Sequence, residues 1–314
     1  MDEGGDRPTF TKFYVCFEAC KKGWLEGCRK IVGLDGCFMK GLCKGQLLCA
    51  IGRDGNNQMF PIVQVENTTT WTWFIRCIQR DIQLGDGAGI TIMSDMQKGL
   101  ECAIQLVLPE AERRRCARHV YANWAKKWRG EERKIAFWNC ARATTVPELK
   151  DKMRALADLG NGYAEKDAMG YEVEKWSKAY FNEKVNCDVV DNNLAETFNG
   201  WILEARCKSI ISMLEDIRRK VMKRLVKKKQ ESTKWHCDVS PRVLSKLEKN
   251  KEKSFDWMAE WNGYNEYEVS SVYNGVDKHK VDMKARTCSC REWNLTGIPC
   301  PHSICTIYHQ SKTP

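Results

Sequence analysis

The sequence contains no long hydrophobic run. No stretch approaches the roughly 20 uninterrupted apolar residues that a membrane-spanning helix needs. The polar start, Met1–Pro8, also has no apolar signal-peptide core. We therefore expect neither a membrane partner nor export. With 314 residues, 43% of them hydrophobic, the chain is long enough for one sizeable α/β domain and a smaller module.

The 17 cysteines do not form an obvious disulfide framework. Their number is odd, the chain is long, and no export signal accompanies them. Most lie among apolar neighbours and are predicted to be small, reduced core residues, as for Cys37, Cys49, Cys77 and Cys102. Only cysteines clustered at metal-ligand spacing are therefore candidates for a site.

Acidic residues are scarce in one segment of this basic chain. Residues 201–253 contain 16 Lys and Arg against 7 Asp and Glu, and the whole chain carries a formal charge of +10. A helix of this composition is commonly a solvated surface. Binding of nucleic acid is the functional alternative, which gains weight only if the chain also carries DNA chemistry.

Turn signals divide the N-terminal part into short elements. Strands are predicted over Cys28–Phe38, in QLLCAIGRDGNN and in NNQMFPIVQVE, and all three are expected to be antiparallel. Helical spacing follows over 71–84, then a buried strand over 90–93 and a helix over 97–108. Three strands, a helix, a strand and a helix open a ribonuclease H-like fold, in which acidic residues at neighbouring strand ends bind metal ions.

The rest of the chain predicts three further regions. A charged, helix-rich insertion is expected from about 121 to 180. One long helix should begin near Asn193 and continue past Leu225 with a single apolar stripe. Short β-like runs, YEVSSV and HKVDMKA, follow residue 255. The predicted divisions are a lead-in at 1–24, the first part of the core at 25–128, the insertion at 129–190, a core-completing helix with a basic linker at 191–253, and a module at 254–314.

The segment CSCREWNLTGIPCPH has the spacing of a zinc site. Its four potential ligands form two short pairs: Cys288, Cys290, Cys300 and His302. Four N/S ligands complete the tetrahedron that zinc prefers, so we expect a structural ion that supplies folding energy to a small module. Chance clustering in a cysteine-rich chain is the alternative. Cys305 and His309 lie nearby and are predicted to be spectators.

This ligand pattern resembles a SWIM zinc finger, whose β-β-α plan matches the β-like runs before it. The resemblance implies binding of DNA or protein, without catalysis. It also makes Trp293 and Ile298 the small core of the module.

Six segments in order are similar to the transposase domain of Mutator-like elements: IVGLDGCFMKG, QLLCAIGRDGNNQMFPI, WTWFIRCI, ITIMSDMQKGL, RRCARHVYANW and VVDNNLAETFNGWILEAR. The resemblance covers about residues 13–225. It implies a ribonuclease H-like core in which three carboxylates hold two Mg²⁺ or Mn²⁺ ions for DNA cleavage and strand transfer. Matched by motif, these carboxylates are Asp35, Asp95 and Glu196. The implied partner is DNA, in the nucleus, with no small-molecule substrate and with self-association left open.

Each of these acids also has a purely structural interpretation. Asp35 precedes a glycine and could shape a turn, whereas Asp95 could cap a helix. Asn193 and Glu196 have capping-box spacing. The C-x-x-H pair Cys116 and His119 also resembles a signature of the family, and could serve in a metal site, contact the scissile phosphate or simply pack.

Two departures from the family favour a truncated or domesticated copy. About four apolar residues are missing between FPI and VQVEN, which would shorten the third strand by roughly 13 Å. The chain also begins directly at the transposase region, where relatives have a DNA-binding module upstream. Three hypotheses result: an active transposase, a transposase-derived DNA-binding regulator without catalysis, and an inert scaffold that carries a functional finger.

Overall fold

The computed structural model describes residues 12–41, 45–67 and 71–310, with the backbone alone described at 63–67. The first 11 residues of the predicted lead-in lie outside this range. The chain is mixed α/β, as predicted, with two sheets and surrounding helices. The strands are β1 Lys12–Cys16, β2 Cys28–Phe38, β3 Gln46–Asp54, β4 Met59–Asn67, β5 Thr91–Ser94, β6 Glu112–Arg115, β7 Trp257–Trp261, β8 Glu266–Ser271, β9 Lys278–Asp282 and β10 Thr287–Cys288. The helices are α1 Glu18–Gly27, α2 Trp71–Asp81, α3 Lys98–Val107, α4 Ala117–Trp124, α5 Glu131–Arg142, α6 Val146–Asp158, α7 Tyr163–Met169, α8 Asn193–Trp201, α9 Ile210–Ser232, α10 Pro241–Ser254, α11 Glu292–Thr296 and α12 Pro301–His309.

The larger sheet has six strands in the order β1-β4-β3-β2-β5-β6. Its first four strands are antiparallel neighbours, whereas β5 and β6 run parallel to β2. The prediction of three consecutive antiparallel strands is thus confirmed in β2, β3 and β4. Strand β1 and helix α1, within the predicted lead-in, add an edge strand and a covering helix.

Strand β4 is as long as its neighbour β3, although the sequence predicted a shortened third strand. It has nine residues, as many as β3, and pairs with β3 from Gln46 opposite Asn67 to Arg53 opposite Met59. One irregularity between Ala50 and Ile51 interrupts the register. Strands β3 and β4 therefore form a hairpin whose pairing is irregular at one place.

Both faces of this sheet are covered by helices. Leu48 and Ala50 of β3 pack in one core with α2 and α3, while the intervening Leu47, Cys49 and Ile51 pack in another with α8 and α9. This alternation follows from the opposite directions of successive side chains in a strand. Helices α8 and α9 are thereby held on the face opposite α2 and α3.

Strand β6 was not predicted, because its sequence ERRR has no apolar residue. Arg114 is nevertheless only 1% exposed. Its guanidinium donates to Glu112 at 2.8 Å and to the Cys187 carbonyl at 2.6 Å, and it lies 3.9 Å from the centre of the Phe181 ring. Because these partners satisfy a buried charge, the polar strand can occupy the sheet edge.

The prediction of one long helix after Asn193 was wrong. Helix α8 ends at Trp201 and α9 begins at Ile210. In the break, the carbonyl of Arg206 accepts hydrogen bonds from the amides of Lys40 and Gly41, at 2.9 and 3.2 Å. Both helices contribute apolar residues to the same core. The hydrophobic spacing therefore continues across the break, and the sequence pattern alone does not show where α8 ends.

The predicted insertion is helical. Helices α4 to α7 and two short 3-10 turns surround an aromatic core in which Phe137 and Trp176 stack with ring centres 4.8 Å apart. Among the described residues, no helix is both long and apolar enough to traverse a lipid bilayer.

The smaller sheet has four antiparallel strands in the order β10-β9-β8-β7. Helix α12 packs on it, and α10 packs against α12. The Asn250 side chain of α10 donates to the carbonyl of Pro299 at 2.8 Å. The lysine-rich stretch before residue 254 is therefore helical and in contact with the C-terminal module.

Candidate functional sites

The four C-terminal ligands converge on one point. Cys288 ends β10, Cys290 follows it, Cys300 is the N-cap of α12, and His302 lies in the first turn of that helix. All four side chains are buried, and their ligand atoms lie within 4.8 Å of one another. The end of one strand, the loop after it and the first turn of a helix are therefore enough to supply all four ligands.

The distances within this cluster fit zinc. His302 Nδ1 lies 3.5 Å from the sulfur of Cys288 and 3.7 Å from that of Cys300. Sulfur and nitrogen ligands of one tetrahedral zinc ion are about 3.6 Å apart, from Zn–S of ~2.3 Å and Zn–N of ~2.0 to 2.1 Å. The three thiols and the imidazole can therefore hold the ion without rearrangement.

Neighbouring groups hold these ligands in position. The Asn294 side chain accepts from the Cys288 amide at 3.0 Å, and the edge of the Trp257 ring lies against His302 with centres 4.2 Å apart. Hydrogen bonds from Cys288 and Cys290 lower the pKa of Cys300, whereas the contact with Cys300 raises the pKa of both Cys288 and Cys290, so the three thiols titrate as one group. Cys305 donates to the Trp257 carbonyl instead and lies outside the cluster.

Arg291 joins this zinc loop to the helical insertion. Its backbone is left-handed, with φ +62°, directly after Cys290. The guanidinium donates to Glu183 at 2.8 Å and to the carbonyls of Thr144 and Phe181, each at 2.7 Å. A residue between metal ligands thus also anchors the finger on its neighbour.

The two aspartates lie at equivalent positions relative to a pair of adjacent parallel strands. Strand β2 pairs with β5 as far as Gly33 opposite Met93, and Asp35 and Asp95 each follow two residues later. Asp35 lies within β2, not in a turn, and its Oδ1 accepts from the amide of Gly36 at 2.8 Å. Parallel pairing thus brings residues 60 positions apart to the same region of the sheet.

Asp95 and Glu196 do not occupy the capping positions considered above. The N-cap of α3 is Gln97, whose amide donates to Asp95 Oδ1 at 3.2 Å, so Asp95 shapes the loop before the helix. The N-cap of α8 is Asn192, and the Glu196 carboxylate instead accepts from Arg118 at 3.3 Å.

Helix α8 is fixed against β2 by asparagines that sequence reasoning overlooked. The Asn192 amide group donates to the Leu34 carbonyl, and Asn199 Nδ2 donates to Asp35 Oδ2 at 2.8 Å. Asn199 follows Glu196 by three residues, so both lie on one helix face. That spacing was the available signal for Asn199.

The acids share one electrostatic environment. The pKa of Asp35 is raised to about 6, chiefly by burial and in part by the charges of Asp95 and Glu196, against lowering by the Gly36 amide and His119. Within the described ranges, however, these three carboxylates do not form a group with all ligand atoms inside 4.8 Å. The group around Glu196 that does so consists of Cys116, His119 and Glu196.

The basic excess of the sequence lies mainly on α9. Its apolar stripe, Met213, Ile217 and Val221, is buried against the sheet. On its flank, a groove of about 340 Å³ is lined by one tryptophan and five cationic side chains: Trp201, Lys220, Lys223, Arg224, Lys227 and Lys228. The groove is suited to a polyanion.

Comparison with protein families gives two matches. Residues 31–123 match the MULE transposase domain, and residues 272–310 match the SWIM zinc finger. Both resemblances seen in the sequence are thereby confirmed over these residues. The first match contains Asp35 and Asp95 and ends before Glu196, whereas the second contains the whole Cys3His cluster, which points to zinc. No curated protein gave a match.

Proposed function

We propose that this chain is a Mutator-like DNA transposase, intact or degenerate, that cleaves and joins DNA through Asp35, Asp95 and Glu196. Its core is of the ribonuclease H-like type, and its C-terminal module follows the β-β-α plan of a SWIM finger. The sheet order supports this proposal, because β2, β3 and β4 form an antiparallel meander and β5 then returns parallel to β2. The divisions at 25–128, 129–190, 191–253 and 254–314 belong to the same proposal.

One observation carries the catalytic part. Asp35 in β2 and Asp95 directly after β5 each lie two residues beyond the last paired residues of two parallel strands, and the pKa of Asp35 is raised, first by burial and then by the charges of Asp95 and Glu196. Carboxylates that destabilise each other's charge are stabilised by a cation between them. This mutual repulsion is the electrostatic signature of a site for a divalent ion.

The donor set fits magnesium in type. Asp35, Asp95 and Glu196 offer oxygen atoms, which Mg²⁺ prefers. When bound, the ions would supply an activated nucleophile and stabilise the oxygens of the phosphodiester. Asn199 orients Asp35 through its hydrogen bond, and the basic groove on α9 binds the DNA backbone, consistent with a nuclear protein.

Nicking of a supercoiled plasmid tests the catalytic proposal. We expect Mg²⁺-dependent nicking by the full chain that is lost in Asp35→Ala and in Asp95→Ala. Asp158→Ala, a substitution of an exposed aspartate at the end of α6, is the matched control and should retain nicking. Unchanged nicking in Asp35→Ala would refute the assignment. DNA binding should persist in all three variants and weaken steeply with added salt.

One observation favours the second candidate, a DNA-binding regulator without catalysis. Glu196 is paired with Arg118 at 3.3 Å, and its other oxygen lies 4.0 Å from His119 Nε2, so it is engaged away from the aspartates. Salt-sensitive DNA binding by a wild-type chain that never nicks DNA would establish this alternative.

A further inference from the structure

A second cluster of soft ligands lies outside the finger. Cys116 is the N-cap of α4, His119 lies in the first turn of that helix, and Glu196 approaches from α8. One ligand atom from each lies within 4.8 Å of the others. We propose that Cys116, His119 and Glu196 bind a zinc ion, separate from that of the finger. This inference goes beyond the DNA chemistry proposed above and does not depend on it.

The sulfur of Cys116 is held in place by the surrounding backbone. The residue is 0% exposed, and its sulfur accepts a hydrogen bond from the amide of Asn192 at 3.2 Å. Its own amide donates to the Ser94 carbonyl at 2.8 Å, which fixes the cysteine beside the end of β5. A buried sulfur held in this way fits a metal ligand.

His119 has a nitrogen atom that lacks a partner. Its Nδ1 is buried and makes no hydrogen bond within the part of the chain that the structure describes. Buried polar atoms of this kind are rare and call for an explanation such as an ion. The other ring nitrogen, Nε2, lies 4.0 Å from Glu196 Oε1. One ring nitrogen of His119 lies within 4.8 Å of a ligand atom on both Cys116 and Glu196, so a single ion can contact all three residues.

The spacing is close to that of a zinc site. Nitrogen, oxygen and sulfur ligands of one tetrahedral zinc ion lie about 3.3 to 3.8 Å apart. The separation of 4.0 Å between His119 and Glu196 is slightly longer, and a small side-chain rotation would close it. Arg118 competes for the second carboxylate oxygen of Glu196 at 3.3 Å, but both side chains are partly exposed, so this pair is weak.

The ligand types select the metal. Thiolate and imidazole ligands favour zinc, whereas Mg²⁺ prefers oxygen atoms. Three protein ligands leave a fourth coordination position open, unlike the closed finger cluster. Zinc here would also use Glu196, the third acid of the DNA-cleaving site. Occupation of the cluster would therefore hold Glu196 with α4 and withdraw it from Asp35 and Asp95.

Metal stoichiometry of the full chain tests the proposal. The protein is dialysed against buffered zinc in the presence of excess Mg²⁺, and bound zinc is measured by mass spectrometry. We expect two equivalents in the wild type and one in His119→Ala or Cys116→Ser. Cys207→Ser and His236→Ala, which change an exposed cysteine and an exposed histidine outside both clusters, are the matched controls and should retain two.

Two results would overturn the proposal: one equivalent in the wild type, or two equivalents that persist in His119→Ala. Because Cys116 is fully buried, its replacement could unfold the chain, and the half-buried His119 provides the independent variant. Cobalt substitution adds a spectroscopic measure. The sulfur-to-cobalt absorption should contain a component that Cys116→Ser removes and His236→Ala leaves. Neither measurement depends on DNA nicking, so the outcome for this zinc site is independent of the outcome for the proposed catalysis.

Discussion

The Cys3His cluster and the carboxylate site place charged groups together in two different ways. The finger takes its ligands from 15 consecutive residues, and all four are buried with mutual distances that suit one ion. The carboxylates come from a strand, the loop after a second strand and a helix, spread over about half of the chain, and Glu196 is partly exposed and paired with Arg118. A local site is specified by spacing, whereas a distributed site depends on every register and packing contact between its elements.

Removal of zinc should have the largest effect, and it should affect the finger while leaving the six-stranded sheet unchanged. Zinc binding contributes on the order of 10 kcal/mol to the folding of such modules. We therefore expect chelation, or Cys300→Ser, to abolish hydrogen-exchange protection of β7 to β10 while the six-stranded sheet stays protected. Cys237→Ser, at an exposed cysteine, is the control and should change neither region. Retained protection of the finger after chelation would show that packing alone specifies the local site.

Substitution of Arg291 should have the next largest effect, because this residue links the finger to the insertion. Arg291→Ala leaves the carbonyls of Thr144 and Phe181 without their donor, and we expect a loss of about 2 to 4 kcal/mol in the free energy of unfolding. Urea denaturation measures this change. Arg286→Ala is the matched control, because Arg286 also has a left-handed backbone, φ +55°, but is exposed. Equal effects of the two variants would remove the anchoring role.

Asp35→Asn should produce the smallest effect, and with the opposite sign. The pKa of Asp35 is raised to about 6, chiefly by burial, so its charge destabilises the folded state above that pH and progressively less as the pH falls towards 4. We expect the variant to be about 1 to 2 kcal/mol more stable at pH 7.5, with a smaller gain at pH 5.

Urea denaturation at both pH values measures this difference. Asp158→Asn, at an exposed aspartate, should change stability by less than about 0.5 kcal/mol at either pH. A destabilised Asp35→Asn would mean that the hydrogen bonds from Gly36 and Asn199 outweigh the burial of the charge. The carboxylate would then be a structural group, and the comparison between the two sites would lose its electrostatic basis.

Sequence reasoning was most successful where apolar residues recur at the spacing of a helix or a strand. Strands β2, β3 and β5 and helices α2 and α3 were predicted because apolar spacing and turn residues mark them. It failed at β6, whose buried Arg114 is compensated by groups distant in sequence, and at the break between α8 and α9, where both helices continue the same apolar stripe. The local sequence pattern does not reveal a hydrogen bond to a carbonyl that is distant in the chain. Nor does it reveal the direction that a helix takes after a break.

The same limit applies to the sites. The ligand pairs of the finger were visible as spacing, and the motif match selected Asp35, Asp95 and Glu196. The contacts of Glu196 with Arg118 and His119 were not visible, because they depend on how α8 packs beside α4. Asn199 was missed for a similar reason: its role appears only when the helix face is known to point at Asp35.

The contact between α10 and the finger has a practical consequence for dissection of the molecule. An expression fragment that begins at residue 254 would carry all four cysteine and histidine ligands but would leave behind Asn250, whose side chain holds the loop before Cys300 through the Pro299 carbonyl. It would also strip α12 of a covering helix and expose its apolar side. A fragment that begins just before Pro241 keeps this hydrogen bond and the covering helix, and is therefore the better choice for zinc loading in isolation.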